Sequence, residues 1–162
     1  MRSRRFSWIV ALACGLTAAV QAGPASAAGP VHCTLSGSLA FEPAITEAPQ
    51  DATVTLKAQA LMCSDPDIST ADVTGTLKGQ AGKLTSRLAG TLGYAWHLKS
   101  GATEPGVQEV SGVGIGAGFS FEGDTTGGRG QGRPVRIIPL SPGAFPEGRV
   151  SEVNVLARLT IK

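Results

Sequence analysis

The segment Thr53-Val54-Thr55-Leu56-Lys57-Ala58-Gln59-Ala60-Leu61-Met62 decides the fold class. Val54, Leu56, Ala58, Ala60 and Met62 fall on one parity, while Thr53, Thr55, Lys57 and Gln59 fall on the other, and that period of two marks a half-buried strand. The same alternation recurs on both sides. Val31, Cys33, Leu35, Leu39 and Phe41 share one face of a preceding strand that is expected to end at Glu42-Pro43. A third strand is expected over about Asp72 to Lys78. Leu92, Tyr94, Trp96 and Leu98 then alternate with Gly93, Ala95, His97 and Lys99, which assigns the two large rings to the core. In the next run Val113, Ile115, Ala117, Phe119 and Phe121 are expected inward, with Gly112, Gly114, Gly116 and Gly118 on the bare face. A short strand from Val135 to Ile138 follows, and Val153, Val155, Ala157, Leu159 and Ile161 line the last.

Strands at this density, parted by Gly, Pro and Asp clusters and with no amphipathic helical pattern, indicate an antiparallel sandwich or barrel. Leu84 and Leu88 have helical spacing, but Gly82 and Gly90 leave too short a span for a stable helix. The expected fold is all-β, an immunoglobulin-like antiparallel sandwich of seven or eight strands with one disulfide. The longest loops are expected over Ser64 to Ala71, Gly123 to Arg133 and Pro139 to Gly148.

The N-terminus reads differently from the rest. Arg2, Arg4 and Arg5, an apolar run from Phe6 to Val20, and Ala25-Ser26-Ala27 have the order of a secretory signal with its cleavage site. Arg4-Arg5 keeps the twin-arginine route open beside the general one, although Phe6 follows directly where one residue usually intervenes. Cys14 sits inside the apolar run and is expected to leave with the leader. Residues 28–162 are then a single secreted domain, extracellular or associated with the cell wall. Three of the 14 basic residues and none of the 12 acidic ones lie in the leader, so the remainder carries a net charge of −1. A near-neutral chain has no general electrostatic reason to bind nucleic acid or an anionic membrane, and no second apolar stretch is long enough to span a bilayer. Only six aromatic residues remain, Phe41, Tyr94, Trp96, Phe119, Phe121 and Phe145, so Val, Leu, Ile and Ala must build most of the core.

Cys33 and Cys63 are the two remaining cysteines, and an even count in an oxidising compartment reads as one structural bridge. Cys63 lies on the parity opposite to Met62, which requires a bulge or a twist before it. A redox role needs a closer pair, and His32 with the distant His97 adds too few ligands for zinc.

No arrangement carries a recognisable chemistry. Asp65, Asp67 and Ser69, with Asp72 nearby, match the first ligand spacings of a calcium loop, but Thr70 and Thr76 stand where that loop needs Gly and Glu. A turn explains them better. Gly127-Gly128-Arg129-Gly130-Gln131-Gly132-Arg133, with Arg136 beyond, lacks the Lys-Ser/Thr of a phosphate loop and reads as a hairpin loop. The glycines at 112–118 recur at intervals of two, which is a strand and not a dinucleotide fingerprint, and a bare face opposite a ring of the same chain is the commoner reason for it. There is no Gly-x-Ser-x-Gly, and the scattered glutamates Glu42, Glu47, Glu104, Glu109, Glu122, Glu147 and Glu152 define no pair on sequence grounds. No catalytic residue, metal site or cofactor is expected.

The run Cys33-Thr34-Leu35-Ser36-Gly37-Ser38-Leu39-Ala40-Phe41-Glu42-Pro43, the strand entering Cys63-Ser64 and Gly93-Tyr94-Ala95-Trp96 resemble a group of small secreted actinobacterial proteins of unknown function. More remotely, two cysteines about thirty residues apart and Pro142-Gly143-Ala144-Phe145 before the last strand resemble the pilin-like spore coat U proteins. That resemblance implies an immunoglobulin-like subunit assembling at the cell surface. Only Ala28 to His32 would precede Cys33, too short a segment for donor-strand exchange. The functional expectation is a non-enzymatic secreted protein with a structural or interaction role at the cell surface, its partner a cell-envelope component or a secreted protein. The alternatives are a carbohydrate or small-ligand binding module and an inhibitor of a secreted protease.

Overall fold

The computed structural model describes residues 29–141 and 144–162. The expected leader, Cys14 and the pair at 142–143 lie outside the described residues. Eight strands follow one another: β1 (Val31–Ile45), β2 (Gln50–Leu61), β3 (Ile68–Ala81), β4 (Thr85–Leu98), β5 (Thr103–Ile115), β6 (Gly118–Gly128), β7 (Pro134–Pro139) and β8 (Val150–Ile161). Each pairs antiparallel with its neighbour in sequence, and β8 returns to β1 through a register running from Val31↔Ile161 to Leu39↔Val153. The sheet therefore closes into an up-and-down barrel. This corrects the immunoglobulin-like sandwich, although the all-β class, the strand number and the disulfide stand. A sandwich and a barrel place the same alternation on their strands. What separates them is whether the first and last strands pair, and periodicity does not encode that.

The interior is lined as the alternation requires. Leu35, Leu39, Val54, Leu56, Val73, Leu77, Leu92, Leu159 and their neighbours are buried, while Thr53, Lys57, Asp72, Arg87, Glu122 and Arg158 stand outside or half outside. Apolar inside and charged outside is the inverse of a lipid-facing barrel. No helix among the described residues is long and apolar enough to cross a membrane.

Two expectations about facing need correction. In β5 it is Gly112 and Gly114 that point inward, and Val113 and Ile115 point out, with Ile115 76% exposed. The parity changes because β5 and β6 meet in a hairpin at Gly116-Ala117, so one continuous alternation across residues 113–121 cannot hold. Phe119 and Phe121 do fill the interior. A Cβ on Gly112 would come within 2.5 Å of the Phe121 ring, and one on Gly114 within 2.7 Å of Phe119, so the bare positions make room for rings of the same chain. In β2 the alternation breaks at Met62, which adopts a positive φ of 51° and is 77% exposed. That turn of the backbone points Cys63 at β1, where it bonds to Cys33 with the two Cα atoms 4.1 Å apart. Leu84 lies in the β3–β4 turn and is exposed, whereas Leu88 is buried in β4.

Candidate functional site

The two ends of the barrel are closed by different chemistry. At the end holding the β1–β2, β3–β4, β5–β6 and β7–β8 connections, Phe145 packs edge-on against Phe41 and Phe119, with ring centroids 6.4 Å away in each case. Lys83, almost wholly buried, donates from Nζ to the Pro146 carbonyl at 2.8 Å and lies 3.3 Å from Glu47. That end is plugged.

The other end carries the β2–β3, β4–β5 and β6–β7 connections, the start of β1 and the end of β8. There the β6–β7 hairpin folds over the opening. Gly128, Gly130 and Gly132 all have positive φ, and the hairpin is tied by hydrogen bonds from the Gly132 amide to Thr125 O (2.7 Å) and from the Arg133 amide to Gly130 O (3.0 Å). The Arg129 amide donates to the Pro105 carbonyl at 3.0 Å, which fixes the hairpin against β5. Arg129 then reaches across the mouth. Its Nη1 donates to Glu104 Oε2 and its Nη2 to Asp65 Oδ2, each at 2.7 Å, so one guanidinium ties the β6–β7 connection to the β2–β3 connection, 64 residues away, and to the start of β5. Asp65 is 12% exposed and Arg129 25%. Burial alone would raise the Asp65 carboxyl, but the Arg129 hydrogen bond, the Asp67 amide and the charges of Arg129 and Arg133 outweigh it and hold the group below its ordinary value of 3.8. Burial likewise works against the charge on Arg129, and the two carboxylates more than restore it, so its pKa is raised.

Beneath this clasp is a cavity of about 220 Å³. Val31, Ile68, Trp96 and Ile161 supply apolar walls, and Asp65, Arg129, Gly130 and Arg133 form the rim. Close to the cavity, but apart from Trp96 not lining it, the core holds a group of polar side chains. Tyr94 OH, Trp96 Nε1, Gln108 Oε1 and Thr125 Oγ1 are buried without a hydrogen-bond partner among the described residues. They lie together: Gln108 is opposite Thr125 across β5 and β6, Gly106 is opposite Tyr94 two residues before Gln108, and the Tyr94 and Trp96 rings stack 5.2 Å apart. A register shift after Val107 leaves Thr126 as an extra residue and lets Thr125 face inward beside Gln108. Gly106 admits the indole, because a Cβ there would lie 2.7 Å from Trp96 Nε1. A Cβ placed on Gly130 would lie 3.9 Å from the Thr125 methyl. Burial pushes the Tyr94 phenol far above its ordinary pKa and keeps it neutral.

The residues singled out in the sequence are dispersed around this site. Asp65 and Asp67 form a turn: Asp65 Oδ1 accepts from the Asp67 amide at 2.9 Å and Oδ2 is held by Arg129, so both oxygens are committed. Asp72 lies elsewhere, on the outer wall. There it accepts from His97 Nε2 at 2.9 Å and from Gln59 at 3.2 Å, while His97 Nδ1 is 3.2 Å from Thr103 Oγ1. The Asp-His-Thr order has the outline of a relay, but the two side chains are about half exposed on a convex face, without the enclosure that chemistry requires. Arg136 pairs outside with Glu122 at 2.8 Å, and of the seven glutamates only Glu104 reaches the mouth. His32 Nδ1 is 3.1 Å from Thr160 Oγ1 on the outer wall. Cys33 and Cys63 fix the start of β1 to the entry of the β2–β3 turn, and thereby hold Asp65 near the opening. A second, open depression of about 700 Å³ lies on the outer wall between Lys78, Arg87, Val113 and Arg136.

Sequence reasoning missed the mouth. The signal for it was the inward parity of Gln108 and Thr125 on otherwise apolar or glycine-lined faces, which becomes visible only when the β5–β6 hairpin is placed correctly. Comparison with known family models, with curated proteins and with solved structures finds no match to this chain.

Proposed function

We propose that this chain is a secreted, non-enzymatic binding protein that takes a small molecule into the Arg129-covered end of its barrel. The observation that carries the reading is the cavity under the Arg129 clasp, lined by Trp96, in a core whose neighbouring residues hold four buried, unpartnered polar atoms. Leaving a polar group buried and unpaired costs about 1–3 kcal/mol each, so a fold does not collect four in one place without a compensating partner. An eight-stranded barrel is just wide enough to be filled by its own side chains or to hold one small ligand, and the buried, paired Ala60 and Ala71 keep bulk off the wall at the mouth end. Secretion rests on the leader pattern and agrees with a disulfide, which persists in oxidising compartments. The test is a thermal-shift screen of the oxidised chain from Ala28 onward against small molecules, with each hit checked for a saturable change in Trp96 emission. Hits that raise Tm and move Trp96 support the reading. A screen in which no compound does both overturns it.

A second reading, an interaction role at the cell surface, is favoured by a separate observation. Leu84, Val113 and Ile115 are exposed around the β3–β4 and β5–β6 turns at the phenylalanine end, away from the mouth. Retention on the producer's cell walls that is lost in a Leu84→Ser, Ile115→Ser double variant supports it, and unchanged retention removes it.

A further inference from the structure

We propose that the depression on the outer wall over β3 to β7 binds an acidic polysaccharide, which lies across the strands with its anionic groups on Arg87 and Arg136. The site is separate from the Arg129-covered end, and the two readings stand or fall independently.

The strand register builds the site. Lys78, Ala89, Ser111, Glu122 and Arg136 are cross-strand partners in turn, so they form one outward row over five strands. Arg87, Val113 and Ser120 form the next row toward the plugged end. In both rows long cationic side chains stand beside short ones, and the depression of about 700 Å³ is the space between them. Neighbouring strands lie about 4.8 Å apart, which sets the Cα atoms of Arg87 on β4 and Arg136 on β7 about 14 Å apart along the wall.

Its charge runs against the rest of the chain. The residues that border it carry three cations and one acid, a net of +2, whereas residues 28–162 as a whole carry −1, so everything outside the depression sums to −3. The cations are also free to act. Lys78 and Arg87 make no ion pair among the described residues, and Arg136 uses only Nε, on Glu122 Oε1 at 2.8 Å, which steadies the side chain and leaves both Nη groups open. Lys78 also borders a depression that holds Glu42 and Asp51, so the two arginines carry the site, and a guanidinium fork matches a carboxylate. Glu109 and Asp124 face each other in the row beyond Ser111 and Glu122, where they repel a polyanion from the mouth side and confine it to the two rows.

The floor decides between classes of polyanion. Ser111 and Ser120 bring hydroxyls that can donate to and accept from a sugar, and Ala89 between the long side chains lets a ring lie close. No aromatic side chain borders the depression, so it has no stacking platform for the bases of a nucleic acid. The open setting decides length. An exposed ion pair contributes about fivefold to affinity at most, so a single anion gains little and only a chain that meets several cations together is held.

The test is retention of the oxidised chain from Ala28 on immobilised polygalacturonate at about 0.1 M salt, where charges act over about 10 Å, beside columns of neutral starch and of polyglutamate. Polygalacturonate is expected to bind the wild type saturably, starch to let it pass, and polyglutamate to hold it at least about fivefold more weakly. Arg87→Gln should weaken retention about three- to fivefold, and Arg136→Gln more, because Glu122 then faces the ligand without its partner. Glu122→Gln should strengthen retention about twofold, a gain that no folding defect produces. Arg158→Gln, the same charge lost from an exposed position of β8 outside the depression, should leave it unchanged. The site is overturned by no retention on polygalacturonate, by polyglutamate holding the chain as tightly, by equal losses in Arg158→Gln and Arg87→Gln, or by a Glu122→Gln chain that binds more weakly than wild type.

Discussion

The barrel closes one end with carbon and the other with charge. At the plugged end Phe41, Phe119 and Phe145 pack edge to face and tilted, with centroids 6.0 to 6.4 Å apart, and Phe121 stacks on Phe119 beneath them. At the mouth a single arginine holds two carboxylates over a cavity. Dispersion and burial are indifferent to pH and salt, whereas an ion pair near the surface responds to both. The difference teaches where the molecule is built to stay shut and where it can open at low cost. The Arg129 side chain has to give up only two contacts to uncover the cavity, and no strand has to leave the sheet.

The largest effect is expected at the plug. Phe119→Ala removes a ring that touches Phe41, Phe121 and Phe145 and leaves Gly114, the glycine opposite it, with no side chain to fill the space. A loss of about 3–5 kcal/mol is expected in urea unfolding. A loss below about 1 kcal/mol would mean that the end is not packed as described. Next comes the bridge that holds the charged end. Cys33→Ala with Cys63→Ala releases a loop closed at a separation of 30 residues, for which the chain-entropy model gives roughly 3–4 kcal/mol. The double variant should also increase the exposure of Trp96 to a neutral quencher, because the turn that carries Asp65 leaves from Cys63. Equal quenching in both proteins would show that the bridge does not position the mouth.

The clasp itself is expected to be worth less and to report on pH. Asp65→Asn keeps the size and loses the charge, and about 1–2 kcal/mol is expected, since Arg129 retains Glu104. The Asp65 pKa is lower in the folded chain than in the unfolded one, so its contribution is fully present above the unfolded value and is lost as the pH falls through the folded one. The mouth should therefore be closed at neutral pH and loosen below about pH 4, seen as an acid rise in Trp96 quenching that Asp65→Asn abolishes. Asp72 on the outer wall is held low as well, by His97 first and Gln59 second, so global stability also falls in acid and only the local probe isolates the clasp. Quenching that rises equally in wild type and variant would remove the clasp as the cause.

Much of the wall was legible from residue to residue. Val54 and Leu56 in β2, Tyr94 and Trp96 in β4, and Leu159 and Ile161 in β8 are buried as their parity requires, because alternation is a local consequence of the pleat. The bridge was legible too, since two cysteines leave one pairing. Closure was not, because β1 and β8 meet across more than a hundred residues and nothing local marks that pairing. Arg129 was not legible for a related reason. Its partners Asp65 and Glu104 come from the β2–β3 connection and the start of β5, and in the sequence it stands among glycines that suggest only a turn. At Asp65 and Asp67 the spacing favoured a turn over a calcium loop, and the Asp67 amide closes that turn on Asp65 Oδ1.

The smallest expected effect is the sharpest test of the corrected parity. Ile115 and Phe119 sit on the two strands of the same hairpin, and one unbroken alternation would bury both. The observed turn at Gly116-Ala117 sends Ile115 outward while Phe119 stays in the plug. Ile115→Ser should then change stability by no more than about 0.5 kcal/mol, the usual range for a surface position, against the several expected of Phe119→Ala four residues later. If the two variants lose comparable stability, β5 is in the other register. Gly112 and Gly114 would then face solvent and Gln108 would leave the interior, so this small measurement also bears on the buried polar atoms toward the far end of the same strand.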